Sequence, residues 1–496
     1  MTNKLIFFTL LSSVFLNFAY ALPDPAKDKR VQKVYEYLEG QLIWIKNGSW
    51  TSCGKALLEV LSRVEEEGLW SEDYAPLIEA LHKADLNSPE SQKKADELLT
   101  LAALNYISDM KGERLNPRSV NKHIYIKAVS IDEVELLKNY VSLFNQCGWI
   151  YGLSPSTPEY QKLKQLLALY RRKQGAGGWP QLPKGTKLKK GDKGPLVETL
   201  RVQLVAQEAL SSEGQGSDVL DDSLEDALKN YQALHGLDQD GKVGEETLKA
   251  LNIPVEQRIR SIIVSLEKHR WYPTPLPSRY LQVNIPGFYL KAVEKGFPAF
   301  YMPIITGKEY TKTPVFNSPL TEIIFNPSWH VPASIVKELL PKIRSNPQAY
   351  ANKGYRVSDN GIVQSPGNSN ALGKIRFTID SPFSIYLHGT PQVNLFQKAK
   401  RALSHGCIRV ENPQKLAEFV FQDHEKWSLD RIKAESSGTA TKRVKLEQFL
   451  PVFITYFTVF EGENHKMHFV TDGYGQDKEV WLALEKAKRN FSLQSQ

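Results

Sequence analysis

The sequence predicts a multidomain fold with α and β parts: a helical N-terminal domain, a small three-helix unit, and a mainly β C-terminal domain with short helices. The chain has 496 residues, which suits about three domains, because single cores rarely grow beyond about 250–300 residues. Apolar residues recur at helical spacing from about Lys29 to Arg172. A strand-like alternation begins only after residue 278.

The helical N-terminal domain is predicted to cover residues 22–185. Its helical spacing is visible in the apolar set Leu163, Leu166, Leu167 and Tyr170. Residues 175–185 then gather glycine and proline, which favour turns and interrupt helices. We therefore place a domain boundary near residue 185.

A three-helix unit is predicted for residues 186–253, followed by a linker helix in residues 254–278. This prediction rests on two sets of apolar residues at helical spacing and on a short final helix that ends at Leu251. The first set is Leu196, Leu200 and Leu204, and the second is Leu224, Leu228 and Tyr231. The turn-rich run 236–241 separates the second helix from the third. Its aspartates do not predict a calcium site, because Gly236 stands where an EF-hand loop needs its first carboxylate.

The C-terminal domain, residues 279–496, is predicted to be mainly β. Leu281, Val283 and Ile285 alternate with polar neighbours before the turn signal Pro286-Gly287. Further strands are predicted at 289–293, 300–305, 322–325, 375–379, 384–388, 451–460 and 467–470, with helices at 335–343 and 414–421. Asn412 and Pro413 suit the start of the last helix. Residues 333–374 are predicted to form a lid over a cleft.

The N-terminus has the pattern of a secretory signal peptide, predicted at residues 1–21. Lys4 precedes an apolar run from Leu5 to Phe18, and Ala19-Tyr20-Ala21 supplies small residues before a cut at Leu22. An uncleaved anchor is the alternative, but the run falls short of the roughly 20 residues that span a bilayer. We expect an exported protein of the periplasm or cell envelope.

The net charge of +8 favours an anionic environment, such as wall polymer or the surface of a membrane. A nucleic acid is not expected as partner, because lysine and arginine are scattered and no nucleic-acid motif accompanies them. The sequence leaves the oligomeric state open.

Three cysteines, Cys53, Cys147 and Cys407, leave at least one thiol unpaired within the chain. Cys53 and Cys147 both fall in the helical part, so a disulfide between them is our hypothesis. It leaves Cys407 free.

Cys407 needs a base to act as a nucleophile, because the reactive form of cysteine is the thiolate. His388 ends the predicted strand 384–388, whose alternation puts Tyr386 and His388 on one face and apolar residues on the other. Taken alone, a histidine on a strand or a cysteine beside glycine would equally fit a structural role.

The run Ser404-His405-Gly406-Cys407-Ile408-Arg409-Val410 closely resembles the catalytic motif of the L,D-transpeptidase family. The resemblance implies Cys407 as nucleophile, His388 as its base, and the carbonyl of Gly389 as the group that orients the imidazole. His405 is the next catalytic candidate. Backbone amides of Gly406 and Cys407, aided by Tyr386, are expected to stabilise the oxyanion, and Ser404 and Arg409 to shape the loop or bind substrate carboxylates.

The resemblance extends over most of the chain. The runs 313–316, 325–332 and 370–373 are similar to the family's substrate-side segments, and the second supplies Asn326 and Trp329 as substrate-binding candidates. Residues 186–253 resemble the peptidoglycan-binding domain of wall enzymes. Together these features resemble the large L,D-transpeptidases, in which a helical scaffold domain precedes a peptidoglycan-binding domain and the catalytic domain.

The implied reaction is a two-step acyl transfer on peptidoglycan stem peptides, with glycan and stem peptide as partners and no cofactor or metal. Cys407 attacks the bond after the third residue of a tetrapeptide stem and expels D-alanine. An amine of another stem then gives a 3→3 crosslink, a wall-anchored protein gives an attachment, and water makes the enzyme a carboxypeptidase. Carbapenems are expected to acylate the same thiol.

Two other classes of protein are alternatives. A zinc peptidase would use His388, His405 and Cys407 as ligands, but the metal-binding helix motifs of such enzymes are missing. A noncatalytic wall-binding protein would carry the thiol incidentally.

Overall fold

The computed structural model describes residues 19–20, 22–127, 130–142, 147–211, 217–422, 426–489 and 493–494. Residues 1–18 and 21, and with them nearly all of the predicted signal peptide, lie outside the described residues. In the described part of the chain, no helix combines the length and the apolarity that crossing a bilayer requires.

The N-terminal region is helical, as the spacing of its apolar residues predicts. Its helices are α1 (Lys29–Tyr37), α2 (Ser52–Ser62), α3 (Ala75–His82), α4 (Pro89–Met110), α5 (Pro117–Val120), α6 (Glu133–Ser142), α7 (Gly148–Tyr151) and α8 (Pro158–Gly175). The region also contains three short strands, which are β1 (Ala19–Tyr20), β2 (Ile45–Lys46) and β3 (Ser49–Trp50). It has 3-10 turns at Pro25–Lys27, Val64–Glu67 and Ser71–Asp73.

Helix α4 is the buried centre of this region. Its Asp96 is fully buried and accepts hydrogen bonds from the backbone amides of Ile43, Trp44 and Ile45, at 2.9, 2.7 and 2.9 Å. A carboxylate is tolerated there because each of these donors compensates lost hydration. Cys53 and Cys147 form the hypothesised disulfide, and Cys407 is a free cysteine.

The three-helix unit has a hydrophobic core of its own, which confirms its prediction. Its helices are α9 (Pro195–Ala206), α10 (Asp222–Leu234) and α11 (Glu245–Leu251). The buried side chain of Gln232 ties the turn after α10 to the helix, donating to Asp240 Oδ1 at 2.8 Å and accepting from Gly241 N at 2.9 Å.

Helix α12 (Val255–Arg270) falls in the segment predicted as a linker helix, and most of its residues are buried. It packs with α8 against the β region, and residues of both helices share one continuous core with the strands. The predicted domain limits therefore enclose units that are closely packed on one another, and the limits themselves stay predictions.

The C-terminal region is mainly β with short helices, as predicted. Its strands are β4 (Tyr280–Asn284), β5 (Tyr289–Glu294), β6 (Phe297–Gly307), β7 (Phe316–Phe325), β8 (Trp329–His330), β9 (Tyr355–Ser358), β10 (Gly361–Gln364), β11 (Ile375–Ile379), β12 (Tyr386–His388), β13 (Ala402–Ser404), β14 (Ile408–Val410), β15 (Lys442–Thr455), β16 (Val459–Glu461), β17 (Met467–Phe469) and β18 (Leu493–Gln494). Its helices are α13 (Ala333–Ser345), α14 (Pro347–Asn352), α15 (Pro413–Val420), α16 (Leu429–Ser437) and α17 (Gln476–Lys486), with a 3-10 turn at Val393–Gln397.

Nine strands form one sheet in the order β13-β6-β14-β12-β11-β7-β15-β4-β5, and β5 pairs again with β6. The long strand β6 makes this closure, since its first part pairs with β5 and its Ile304 and Ile305 pair with β14. Pairs β12–β14, β4–β15 and β6–β13 are parallel. The closed sheet turns one face of each strand inward, where Leu281, Leu290 and Leu387 are fully buried.

The predicted strands 451–460 and 384–388 were too long, each for a local reason. The predicted strand 451–460 is divided into β15 and β16, because the Asn284 side chain takes up both backbone groups of Phe457, at 2.9 and 3.0 Å. The predicted strand 384–388 begins only at Tyr386, since Ser384 has a φ of 52°, outside the extended region.

The segment predicted as a lid, residues 333–374, contains α13, α14, β9 and β10, and β10 also pairs with β8 just before the segment, so that a small sheet forms in the order β8-β10-β9. This unit, residues 329–364, lies along the chain between β7 and β11, which are neighbours in the large sheet, and β11 pairs with β12. Its role as a lid stays a prediction.

The end of the chain returns to the helical region. Asp73 and Asp109 are fully buried there, and Arg114 pairs with both. Beyond α17, the guanidinium of Arg489 contacts Asp109 at 2.7 Å, and its backbone amide donates to Asp73 at 2.7 Å. Residues far apart in sequence thus complete one buried ionic cluster.

Candidate active site

Strands β12 and β14 bring Cys407 and His388 to one face of the sheet. The parallel register pairs Leu387 with Ile408 and His388 with Arg409. Leu387 and Ile408 are fully buried on the inner face, so Tyr386 and His388 point to the outer face. Cys407 precedes Ile408 directly, at the level of Tyr386.

The His388 ring is held in one tautomer. Its Nδ1 lies 2.5 Å from the carbonyl oxygen of Gly389, and because a carbonyl can only accept, Nδ1 carries the proton and Nε2 has the free lone pair. The side chain is only 4% exposed. Burial, followed by the charge of Arg409, lowers the pKa of His388 to about 3, so the imidazole is neutral at neutral pH.

The Gly389 carbonyl is itself fixed by close packing. The Gly389 amide donates to Ile375 O at 3.0 Å. Gly373 lies against the same peptide, and a Cβ on Gly373 would come within 2.6 Å of the Gly389 carbonyl carbon. Gly373 also has a φ of 66°, which favours glycine. A larger residue at position 373 would displace the group that orients His388.

The Cys407 thiol is half-buried and lies 3.8 Å from the carbonyl oxygen of Ser384, to which it donates. Burial raises the pKa of Cys407 above its ordinary value, while contacts with Tyr386 and the charges of Arg376 and Arg409 act in the opposite direction. The resting thiol is therefore protonated at neutral pH, and its proton must be removed as it reacts.

Ser404 shapes the loop that carries Cys407. Its buried hydroxyl donates to Cys407 O at 2.6 Å and accepts from Gly406 N at 3.1 Å. The expectation that the Gly406 amide helps an oxyanion is wrong in this structure, because that amide is already bound to Ser404. Gly406 has a φ of 116°, so its position in the loop favours glycine.

Thr313 holds the same loop from the other side. Its hydroxyl donates to Gly406 O at 2.8 Å and accepts from Gly307 N at 2.9 Å. The Thr313 side chain is fully buried. The loop that carries Cys407 is thereby tied to the end of β6.

Tyr386 lies at the centre of the site. The guanidinium of Arg376 stands 4.3 Å from the centroid of its ring, and the ring of His388 is 5.6 Å away. Burial, and then the sulfur of Cys407, raise the pKa of Tyr386, whereas hydrogen bonding by Trp329 lowers it. Trp329, on β8, thus brings the small sheet to the hydroxyl of Tyr386.

Arg409 lies beside His388, where it donates to Gln392 Oε1 at 2.9 Å. Arg376 is paired with His388 across β11 and β12, and its Nε is buried without a hydrogen-bond partner. Two guanidinium groups therefore flank the dyad residues on the outer face and make the site cationic.

His405 and Asn326 are placed differently from the other candidates. The ring of His405 lies on the outside of the loop, with Nε2 3.2 Å from a carboxylate oxygen of Glu338 on α13. Asn326 is buried, and its amide donates to Glu435 O at 2.8 Å. Its side chain fastens the end of β7 to α16, and its predicted contact with substrate stays untested.

Sequence reasoning did not single out Arg376 or Thr313 as functional residues. The sequence does indicate that Arg376 faces outward, because it alternates with the apolar residues Ile375 and Phe377 on a correctly predicted strand. Thr313 was noted within a motif, but its bond to the Cys407 loop joins positions far apart in sequence. The described residues contain no group of three or more His, Cys, Asp or Glu side chains placed to hold a metal.

Comparison with protein families gives three matches. Residues 29–167 match a scaffold domain, residues 193–251 match a domain described as "Putative peptidoglycan binding domain", and residues 278–425 match the L,D-transpeptidase catalytic domain. The order agrees with the order predicted from the sequence.

A protein of Haemophilus influenzae named "Putative L,D-transpeptidase" is 31% identical over 222 residues, which cover 40% of this chain and 45% of the relative. The match thus spans less than half of that protein's length.

Two solved structures are similar in part. L,D-transpeptidase 3 from Mycobacterium tuberculosis has 15% identity and a TM-score of 0.21, covering 36% of this chain and 61% of that one. An L,D-transpeptidase from Stackebrandtia nassauensis has 12% identity and a TM-score of 0.24, covering 54% and 94%. These scores are too low to add to the sequence matches. The family matches show that residues 278–425, which include Cys407 and His388, are similar to the L,D-transpeptidase catalytic domain.

Proposed function

We propose that the protein is a cysteine-dependent L,D-transpeptidase that forms 3→3 crosslinks in peptidoglycan through a thioester on Cys407. The observation that carries the proposal is the arrangement of the dyad: a free thiol beside a strand that holds a buried neutral imidazole in the tautomer of a base. The family of the catalytic domain supports the same chemistry.

In the first step, Cys407 Sγ attacks the carbonyl carbon of the third stem residue, and the thiol proton passes to His388 Nε2. The C–N bond to the terminal D-alanine breaks as the tetrahedral intermediate collapses. The proton on His388 goes to the leaving nitrogen, so D-alanine departs with a neutral amino group and a thioester remains on Cys407.

The oxyanion of this step needs donors that are not already bound. Because the Gly406 amide is taken by Ser404, we assign the role to the Cys407 amide and the Tyr386 hydroxyl. Arg376 has a buried Nε without a partner, and with Arg409 it supplies positive charge for stem-peptide carboxylates.

In the second step, the side-chain amine of a third residue in another stem attacks the thioester and gives up a proton to His388. The new amide is the 3→3 crosslink, and the Cys407 thiol is restored. Water in place of the amine would give a tripeptide, which is the L,D-carboxypeptidase reaction. Stem peptide and glycan as partners, and the cell envelope as location, follow from this substrate.

The test is incubation of the purified protein with disaccharide tetrapeptide, followed by mass spectrometry. Loss of D-alanine together with a crosslinked dimer is expected, and tripeptide alone would show hydrolysis instead. Cys407→Ala should abolish both products, and unchanged wall chemistry in that variant would favour a noncatalytic binding protein. A carbapenem adduct is expected on Cys407; if no adduct forms, the proposal is overturned.

A further inference from the structure

A second cleft lies on the outer face of the sheet, on the strands opposite to those of the dyad in the closed ring. Phe453, Gln282, Lys291 and Tyr301 are paired in register across β15, β4, β5 and β6, so the four side chains form one row. This row faces a cavity of about 650 Å³ between the sheet, the start of α8 and the end of α12. The volume lies in the range of small-molecule sites, about 300–1,000 Å³.

The cleft continues to the three-helix unit. A neighbouring cavity of about 530 Å³ is lined by Gly236 and Leu237 of that unit and by Phe288 of the sheet. Tyr301 lines both cavities. We call the two cavities, whose linings share Tyr301, the aromatic cleft. It crosses all three of the matched regions, from α8 to the turn after α10.

Two lysines that line the larger cavity are paired with carboxylates, which favours a neutral ligand there. Lys291 is paired with Glu159 at 3.5 Å and Lys162 with Glu461 at 2.5 Å, so these charges compensate one another. Gln282, only 7% exposed, offers an amide. His269 Nε2 is buried without a hydrogen-bond partner, and a buried polar atom of this kind calls for a ligand or water group.

Aromatic rings supply the rest of the lining. Phe297 stands at the rim with 76% of its surface exposed, so its ring is accessible to a ligand in the cleft. Tyr301 and Phe453 continue the aromatic surface inward. Ring faces combined with neutral hydrogen-bonding groups suit a pyranose, which presents C–H groups on its faces and hydroxyl and amide groups at its edges.

We propose that the aromatic cleft binds a neutral amino-sugar chain, which in the cell wall is the glycan strand of peptidoglycan. The identity of the strand depends on the proposed function, whereas the sugar chemistry depends only on the cleft. An anionic peptide would need unpaired positive charge at the floor, and a lipid chain would not suit the buried ion pairs. Bound there, a strand would span the scaffold, catalytic and three-helix regions together.

The experiment measures binding of N-acetylglucosamine tetramer and of peptide-free glycan strands to the whole protein by isothermal titration calorimetry. Phe297→Ala and Gln282→Leu should each weaken binding about tenfold, the loss expected from one good contact. Phe449→Ala is the matched control, since Phe449 is 60% exposed on β15 and does not line either cavity. It should bind like the wild type.

Thermal unfolding of each variant shows whether the fold is kept. Because Phe297 is exposed, Phe297→Ala should unfold at close to the wild-type temperature. The proposal is overturned if the wild type binds neither probe at millimolar concentration, or if both cleft variants bind like the control. The second result would place all glycan binding elsewhere, for example on the three-helix unit alone.

Acylation of Cys407 by a carbapenem should proceed at the wild-type rate in all three variants. Failure of the proposed function would appear as missing D-alanine release with sugar binding intact. Failure of the cleft would appear as normal D-alanine release with no difference between cleft variants and control.

Discussion

Replacing Thr313 with valine exchanges a hydroxyl for a methyl group of nearly the same size. The change removes the bond to Gly406 O at 2.8 Å and the bond from Gly307 N at 2.9 Å. Both partners are buried backbone groups, and leaving each without a partner costs about 1–3 kcal/mol. We therefore expect Thr313→Val to lower the free energy of unfolding by about 2–6 kcal/mol.

The same change frees the loop of the nucleophile from the end of β6. A displacement of about 1 Å at a reacting group can cost about a hundredfold in rate, so acylation of Cys407 by a carbapenem should slow by about ten- to a hundredfold. Urea unfolding measures the first effect, and intact-protein mass spectrometry over time measures the second.

Thr313→Ser is the control, because it keeps the hydroxyl and loses only a methyl group. It should acylate at close to the wild-type rate and lose no more than about 1.5 kcal/mol of stability. If Thr313→Val acylates as fast as Thr313→Ser, the hydroxyl does not position the loop and the reasoning is refuted.

Three further predictions concern acid sensitivity, the disulfide and the α13 contact. The pKa of His388 is about 3 in the folded protein and near 6.5 in the unfolded chain, so protonation of the unfolded chain lowers the free energy of unfolding by up to about 5 kcal/mol as the pH drops from 6.5 toward 3. Urea titrations should show a weaker dependence of stability on acid in His388→Gln, and the same dependence as in the wild type would contradict the lowered pKa. The Cys53–Cys147 bond closes a separation of 94 residues, so the double serine variant should lose about 4–5 kcal/mol by loop entropy, and a loss below about 1 kcal/mol would speak against that account. If His405 serves its contact with Glu338 rather than the thiol, His405→Gln and Glu338→Gln should change the acylation rate equally, and the double variant no further; a slower His405→Gln alone would show that His405 acts in catalysis.

The candidate dyad residues could be selected from the sequence because their signals are local. Cys407 stands in a motif of seven consecutive residues, and the outward orientation of His388 follows from two-residue alternation within one strand. Asn412 illustrates the same kind of success, since its side chain caps α15 by accepting from Lys415 N at 2.9 Å.

The parts that escaped prediction depend on pairings between distant segments. Arg376 enters the site only because β11 pairs with β12, and the Asn284 side chain ends β15 only because β4 lies beside it. Closure of the sheet is another such property. Nothing in the pattern of β6 shows that one strand is shared by β5 and β14, because the choice of neighbours is made by the whole packing.

The ionic cluster around Asp109 has a consequence for the cooperativity of unfolding. Without Arg489, Asp73 and Asp109 would share the single guanidinium of Arg114 in a dry setting, where an uncompensated carboxylate is strongly unfavourable. The helical region therefore reaches its full stability only when the segment that follows α17 is docked on it. Detachment of that short segment would weaken a core built from residues nearly 400 positions away, so the two are expected to unfold as one unit.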